Sequence, residues 1–168
     1  MVYKHLGHIG TSDEHLSLLE HLAPLHDRLS SVLVTTPQIV ALTDMGKCLS
    51  FTRAVNLPII GLIENMSGYV CPCCGEISNV FSTGGGEEMC KRDGLVFLGA
   101  LPVDTELVDL LDASVEAPSS ASQTTKENNA LTETQLLAPL AQRYQQTASS
   151  KLMKDIVGTI IAYLSQRT

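Results

Sequence analysis

Basic side chains are scarce in this chain. Its 168 residues carry 11 Lys and Arg against 18 Asp and Glu, a formal charge of −7. A nucleic-acid-binding body needs clustered cations to neutralise phosphates, so this balance argues against one. No apolar run approaches the ~20 residues that a membrane-spanning helix requires. The opening Met1-Val2-Tyr3-Lys4-His5 lacks the apolar stretch of a secretory signal, which points to a cytoplasmic protein with no membrane partner. No internal repeat is present. A disulfide framework is also poorly served, because the five cysteines are odd in number and three of them crowd into Cys71-Pro72-Cys73-Cys74. That usage fits a metal or redox role in a reducing compartment. With 44% hydrophobic and 17% charged residues, the chain has the composition of a folded domain able to bury a core.

Three segments read as buried strands: Ser31–Thr36, Leu57–Ile63 and Leu95–Ala100. Each is apolar on both faces, the pattern of a parallel sheet covered by helices. Between them run stretches of helical period. Leu16, Leu19, Leu22 and Leu25 predict one helical face behind Ser12, Asp13 and Glu14. A second helix is predicted from Pro37 to about Asn56, burying Val40, Leu49 and Val55. A third opens after Gly84-Gly85-Gly86 with Glu87 and Glu88 and ends near Gly94. This alternation predicts an α/β doubly wound architecture. Residues 1–112 form the expected core, with 1–9 atypical. More than half of residues 114–135 are Ser, Thr, Asn or Gln, so 113–148 reads as a polar linker or excursion. Residues 149–168 read as an amphipathic helix docking back on the helical layer, through Met153, Ile156, Val157, Ile160, Ile161 and Leu164.

The strongest local chemistry lies in Gly68-Tyr69-Val70-Cys71-Pro72-Cys73-Cys74-Gly75. Two thiolates three positions apart on a tight turn can chelate one metal. A zinc site or an iron–sulfur cluster needs four ligands, so this pair is half a site, and the other half most simply comes from a symmetry-related second subunit. Spacing favours Cys71 with Cys74, although Cys71 with Cys73 is sterically conceivable. A thioredoxin-like dithiol fits less well, since that motif belongs at a helix N-terminus. Cys48 and Cys90 fall inside helices and read as small buried hydrophobes. The triple glycine is no phosphate loop: no Lys-Ser or Lys-Thr follows it, and Glu87 and Glu88 repel phosphate. Gly46-Lys47 fails as well, with Ala41 and Cys48 at positions where a P-loop needs glycine and a hydroxyl. The histidines at 5, 8, 15, 21 and 26 read as surface residues.

Taken in order, Val34-Thr35-Thr36-Pro37-Gln38, Ile60-Gly61-Leu62-Ile63-Glu64-Asn65-Met66-Ser67-Gly68, Cys71-Pro72-x-Cys74, Gly84-Gly85-Gly86-Glu87 and Leu98-Gly99-Ala100-Leu101-Pro102-Val103-Asp104 carry a family likeness. The chain resembles the C-terminal half of the Mrp-like, MinD-related P-loop NTPases that act as cytosolic iron–sulfur cluster scaffolds. The likeness spans about Gly10 to Asp112. The Phe81-Ser82-Thr83-Gly84 spacing is closer to the smaller scaffold subunit.

The resemblance implies a partial doubly wound sheet of the MinD/SIMIBI type without its N-terminal P-loop unit. It implies that Cys71 and Cys74 ligate a [4Fe-4S] cluster bridging two subunits. It also implies that Asn65, Pro102 and Asp104 lie on the adenine side of a nucleotide, and that Gly10, Thr11 and Asp13 are the remnant of a switch. Leu6 stands where that switch carries an aspartate and His8-Ile9 where it carries prolines. ATP and magnesium are therefore expected only in a full-length member, and no ATPase activity from this chain alone. The implied partners are a second copy or the larger scaffold subunit, apo iron–sulfur proteins and targeting factors. The competing class is a catalytically inert module clipped together by zinc, because thiolates suit both metals.

Overall fold

The computed structural model describes residues 13–71, 73–74, 76–78, 84–115 and 140–166. In chain order these residues form helix α1 (Asp13–His21), a 3-10 turn (Ala23–Arg28), β1 (Ser31–Thr35), α2 (Ile39–Ala54), β2 (Ile59–Val70) and β3 (Ile77–Ser78). Helix α3 (Gly85–Asp93), β4 (Phe97–Val103), α4 (Thr105–Val115) and α5 (Ala148–Ser165) follow. Most of the expected polar excursion, residues 116–139, lies outside the described residues, as do residues 1–12.

Strand β2 lies between β1 and β4 and pairs parallel with both, making a three-strand parallel sheet. The short β3 pairs antiparallel with the far end of β2, Tyr69 with Ser78 and Val70 with Ile77. Tyr69 also pairs with Val103 of β4, so β3 lies on the β1 side of β2. Helices α2 and α3 pack on one face of the sheet, while α5 packs on β4 and β2.

Alternation along β2 assigns its side chains. Leu62, fully buried, joins Leu33, Met45, Leu49, Met89 and Cys90 in the core beneath α2 and α3. Each buried aliphatic side chain there is worth about 2 kcal/mol. On the opposite face Gly99 is covered by Ile156 of α5, and a Cβ added at Gly99 would stand 3.0 Å from Ile156 Cγ1. The C-terminal helix thus docks on the sheet itself rather than on a helical layer. Its predicted stripe is only half used: Ile156 is buried, but Val157 and Ile161 are exposed.

Several expectations are corrected. The single helix through Leu16–Leu25 is broken, because Pro24 sits at the start of a 3-10 turn, where its missing N–H costs nothing. Leu16 and Leu25 are accordingly exposed. Helix α2 starts at Ile39 with Gln38 as its cap and buries Met45, Leu49 and Thr52. Val40 is 71% exposed and Val55 half-buried. His15 is not a plain surface residue: it is half-buried and meets the Phe51 ring edge-on at 5.8 Å. The second strand extends seven residues past Ile63, to Val70.

Two glycines give opposite expectations for alanine. At Gly61 a Cβ would stand 2.5 Å from the Val96 carbonyl oxygen and 2.7 Å from Leu98 Cγ. Backbone cannot yield there, so Gly61→Ala should destabilise by about 2 kcal/mol. Gly46 lies within α2 with nothing inside 4 Å of an added Cβ, so Gly46→Ala should stabilise by about 0.5–1 kcal/mol. Urea titration of the two variants should move the midpoints in opposite directions.

Candidate functional site

Parallel strands of a sheet covered by helices leave a crevice at their carboxyl ends, where ligands commonly bind. In this chain the ends of β1, β2 and β4 bring together the turn after Glu64, the start of α3 and the Pro102–Asp104 corner. Glu64 is 1% exposed. Its Oε1 accepts hydrogen bonds from Ser67 Oγ at 2.5 Å and from the Gly84 amide at 3.3 Å, while Oε2 accepts from the Gly86 amide at 2.6 Å. A buried carboxylate thus caps the N-terminus of α3, where the helix dipole favours negative charge.

The triple glycine exists for this packing. Gly84 adopts φ +83°, a left-handed conformation that side chains resist. A Cβ on Gly85 would stand 2.6 Å from Leu42 Cδ1, and one on Gly86 would stand 3.0 Å from Glu64 Oε2. Gly85 and Gly86 thus let the helix start approach Leu42 and Glu64, while Gly84 supplies the left-handed turn. Opposite charges then follow the dipole along α3, with Glu87 and Glu88 in its first turn and Lys91 and Arg92 in its last.

Beyond Glu64 the chain turns sharply. Met66 has φ +57° and Gly68 φ +94°, and the β2–β4 register shifts between Asn65 and Tyr69. A left-handed methionine costs about 1 kcal/mol. The Asn65 side chain offsets part of this by accepting from the Met66 amide at 2.9 Å. The strand then resumes and delivers Cys71, whose amide donates to the Glu76 carbonyl at 2.9 Å. Cys71 is half-buried, while Cys73 and Cys74 are exposed.

Amide donors from Cys73 and then Cys74, helped by the Cys74 and Cys73 thiols, lower the Cys71 pKa below that of an ordinary cysteine. The turn therefore favours a thiolate at Cys71, the form that binds metal. Cys48 and Cys90 shift the other way. Burial pushes both thiols up, and nearby carboxylates add to this, that of Asp44 at Cys48 and those of Asp93, Glu87 and Glu64 at Cys90. Among the described residues no group of three His, Cys, Asp or Glu side chains is arranged to hold a metal ion.

Of the residues expected on a nucleotide's base side, Asn65 is exposed on β2, one residue past its pairing with β1, and pairs in register with Leu101. Pro102, next along β4, is buried. Asp104 is committed elsewhere. Its Oδ1 accepts from the Glu106 and Leu107 amides at 3.1 and 3.3 Å, and its Oδ2 from the Ser149 amide and hydroxyl at 3.1 and 2.7 Å. One carboxylate thus fastens the starts of α4 and α5 together. Asp13 is the exposed first residue of α1, and Gly10 and Thr11 lie outside the described residues. Glu64 drew no notice as a site residue, although a lone carboxylate in phase with Ile60 and Leu62 of a buried strand signals one.

Residues 9–138 match the family model described as ParA, NUBPL iron-transfer P-loop NTPase. The chain is 49% identical over 127 residues to the cytosolic Fe-S cluster assembly factor CFD1 of Mycosarcoma maydis, covering 73% of this chain and 35% of that protein. It is 52% identical over 103 residues to the cytosolic Fe-S cluster assembly factor NUBP2 of Bos taurus, covering 61% of this chain and 38% of that protein. To the cytosolic Fe-S cluster assembly factor cfd1 of Aspergillus clavatus it is 37% identical over 169 residues, covering 92% of this chain and 54% of that protein. The chain therefore spans about a third to a half of the length of these relatives. Among solved structures it resembles the nucleotide-binding protein of Archaeoglobus fulgidus in complex with ADP, with a TM-score of 0.51 and 27% identity over 62% of this chain and 41% of that one.

Asp104 gives a pH signature. Burial alone would raise its pKa, but the donors from Ser149, Leu107 and Glu106 outweigh that and hold the carboxyl below its ordinary value. Its stabilising contribution is therefore complete above the ordinary carboxylate range of about 4 and is lost as pH falls through the lower folded value. Asp104→Asn turns an NH2 toward the amides of Glu106 and Leu107 or toward that of Ser149, and should cost about 1–2 kcal/mol at neutral pH. Denaturation curves taken at neutral pH and near pH 2 should show the gap between wild type and variant closing in acid.

Proposed function

The chain belongs to the family of NUBPL-type iron-transfer P-loop NTPases, and from that premise we propose that it carries iron–sulfur clusters in cytosolic cluster assembly. The cluster is cargo: a [4Fe-4S] unit taking Cys71 and Cys74 from this chain and two thiolates from a second copy or from the larger scaffold subunit. The observation that supports this most directly is the thiol turn. Amides of Cys73 and Cys74 favour a thiolate at Cys71, and the described residues offer no third donor arranged to complete a metal site. A half-site needs a partner to close it. Cargo held by two ligands per subunit can be passed to an apoprotein by exchanging thiolates one at a time, a transfer that a buried four-ligand site would resist.

Exposure of Cys73 and Cys74 suits both the approach of a partner and the release of cargo. Asn65 and Pro102, neighbours at the carboxyl end of the sheet, are assigned to the base side of a nucleotide, with Asp104 supporting that corner from its helix-tethering position. The names of the relatives, Fe-S cluster assembly factors, support iron over zinc in this reading.

Anaerobic reconstitution followed by iron and labile-sulfide analysis tests the assignment. Wild type should hold about two iron atoms per chain, four shared between two subunits, with broad visible absorption that a zinc protein lacks. Cys71→Ser or Cys74→Ser should each abolish stable binding, because two-fold symmetry doubles the lesion. Cys73→Ser, Cys48→Ser and Cys90→Ser should leave iron content nearly unchanged. Iron lost from Cys73→Ser and kept by Cys74→Ser would reassign the ligand pair.

A further inference from the structure

We propose that Glu64 is a positioning residue for the thiol turn, holding both ends of the cysteine-bearing segment on one carboxylate. This rests on the reading of Cys71 and Cys74 as cargo ligands. Ser67 lies in the irregular stretch of β2 that leads to the thiol turn, four residues before Cys71. Gly84 and Gly86 lie where the chain returns to begin α3. All three donate to the same side chain, at 2.5, 3.3 and 2.6 Å. Every cysteine of the thiol turn falls between those two attachments, so the carboxylate closes the base of the segment that carries them. The left-handed Met66 and Gly68 lie beside the departing attachment, in a conformation that must be held from outside.

Burial makes the arrangement intolerant of change. Glu64 is 1% exposed, and a buried donor left without an acceptor is costly. Glutamine has the same shape, yet whichever way its amide is turned, the NH2 faces the backbone N–H of Gly84 or of Gly86. Removing the Ser67 hydroxyl instead frees only the departing end and leaves the cap on α3 intact. Ser67→Ala therefore separates support of the thiol turn from support of the helix.

The test has two readouts on the full chain. On the unloaded protein, amide hydrogen exchange is followed at Cys73 and Cys74, with Leu33 and Leu62 of the sheet as internal references. On the reconstituted protein, iron retention is measured against a chelator. Glu64→Gln and Ser67→Ala should each speed exchange at the two cysteines about 10-fold relative to the sheet, in keeping with the loss of one buried hydrogen-bond partner. Cluster retention should weaken by about 10- to 100-fold, the usual effect of losing a group that orients metal ligands. Leu49→Ala, which loosens the core without touching Ser67, Gly84 or Gly86, should accelerate sheet and turn alike and keep the ranking of the turn unchanged.

Should Glu64→Gln not fold, Ser67→Ala decides alone. Wild-type exchange at Cys73 and Cys74 in Ser67→Ala would overturn the positioning role. So would a loss of iron in Leu49→Ala equal to that in Glu64→Gln. A wild-type chain that takes up no cluster would overturn the cargo reading instead, and the exchange measurements on unloaded protein would still decide the role of Glu64.

Discussion

Glu64 sits where the pairing of β1 with β2 ends, and its buried carboxyl oxygens are met by two backbone amides and one hydroxyl. Removing an ionised carboxylate from solvent is expensive unless its lone pairs are filled. Meeting that requirement shapes its surroundings. Helix α3 begins close against β2 at Gly86, where a Cβ would crowd Glu64 and Leu62, and close against α2 at Gly85, where one would crowd Leu42. The register of β2 against β4 also shifts around Ser67, between Asn65 and Tyr69, where Met66 and Gly68 take positive φ.

The cysteines divide by environment rather than by chemistry. Cys90 is buried in the core with Met89 and Leu49, and Cys48 packs against that cluster. Both lie where burial disfavours a charged sulfur. Cys71 stands on a hairpin beyond the sheet, where backbone amides point at it. The contrast comes from the position of the thiol turn on the far end of β2, raised clear of the core by the strand's extension to Val70. A second carboxylate, Asp104, works in a similar way at the end of β4, joining the start of α4 beside it to Ser149 of α5, 45 residues further on.

Much of the fold was legible in the sequence. The three strands were found because segments such as Ser31–Thr35 and Ile59–Ile63 are apolar on both faces, and parallel sheets demand that. The α3 boundaries were found because glycine and charge mark both ends. Reading failed where packing, not periodicity, decides. Val40 stands five residues before Met45, and at 3.6 residues per turn that places it on the opposite face of α2 from the buried Met45, Leu49 and Thr52. Leu16 and Leu25 share a helical spacing that Pro24 interrupts. Of the apolar stripe on α5, Ile156 finds Gly99 while Ile161 finds nothing.

What the sequence determined by itself was the inventory: an α/β alternation, a Cys-Pro-x-Cys pair of thiols and a row of motifs in family order. These are local properties, written in spacing and side-chain type within a few residues. The tertiary structure alone decided that a glutamate in a hydrophobic strand is the acceptor for residues 3, 20 and 22 positions further on. It alone decided that Asp104 serves two helices and that Cys71 meets amides rather than an apolar wall. Such assignments depend on which distant groups a fold brings within hydrogen-bond reach, and no spacing rule along the chain encodes that distance.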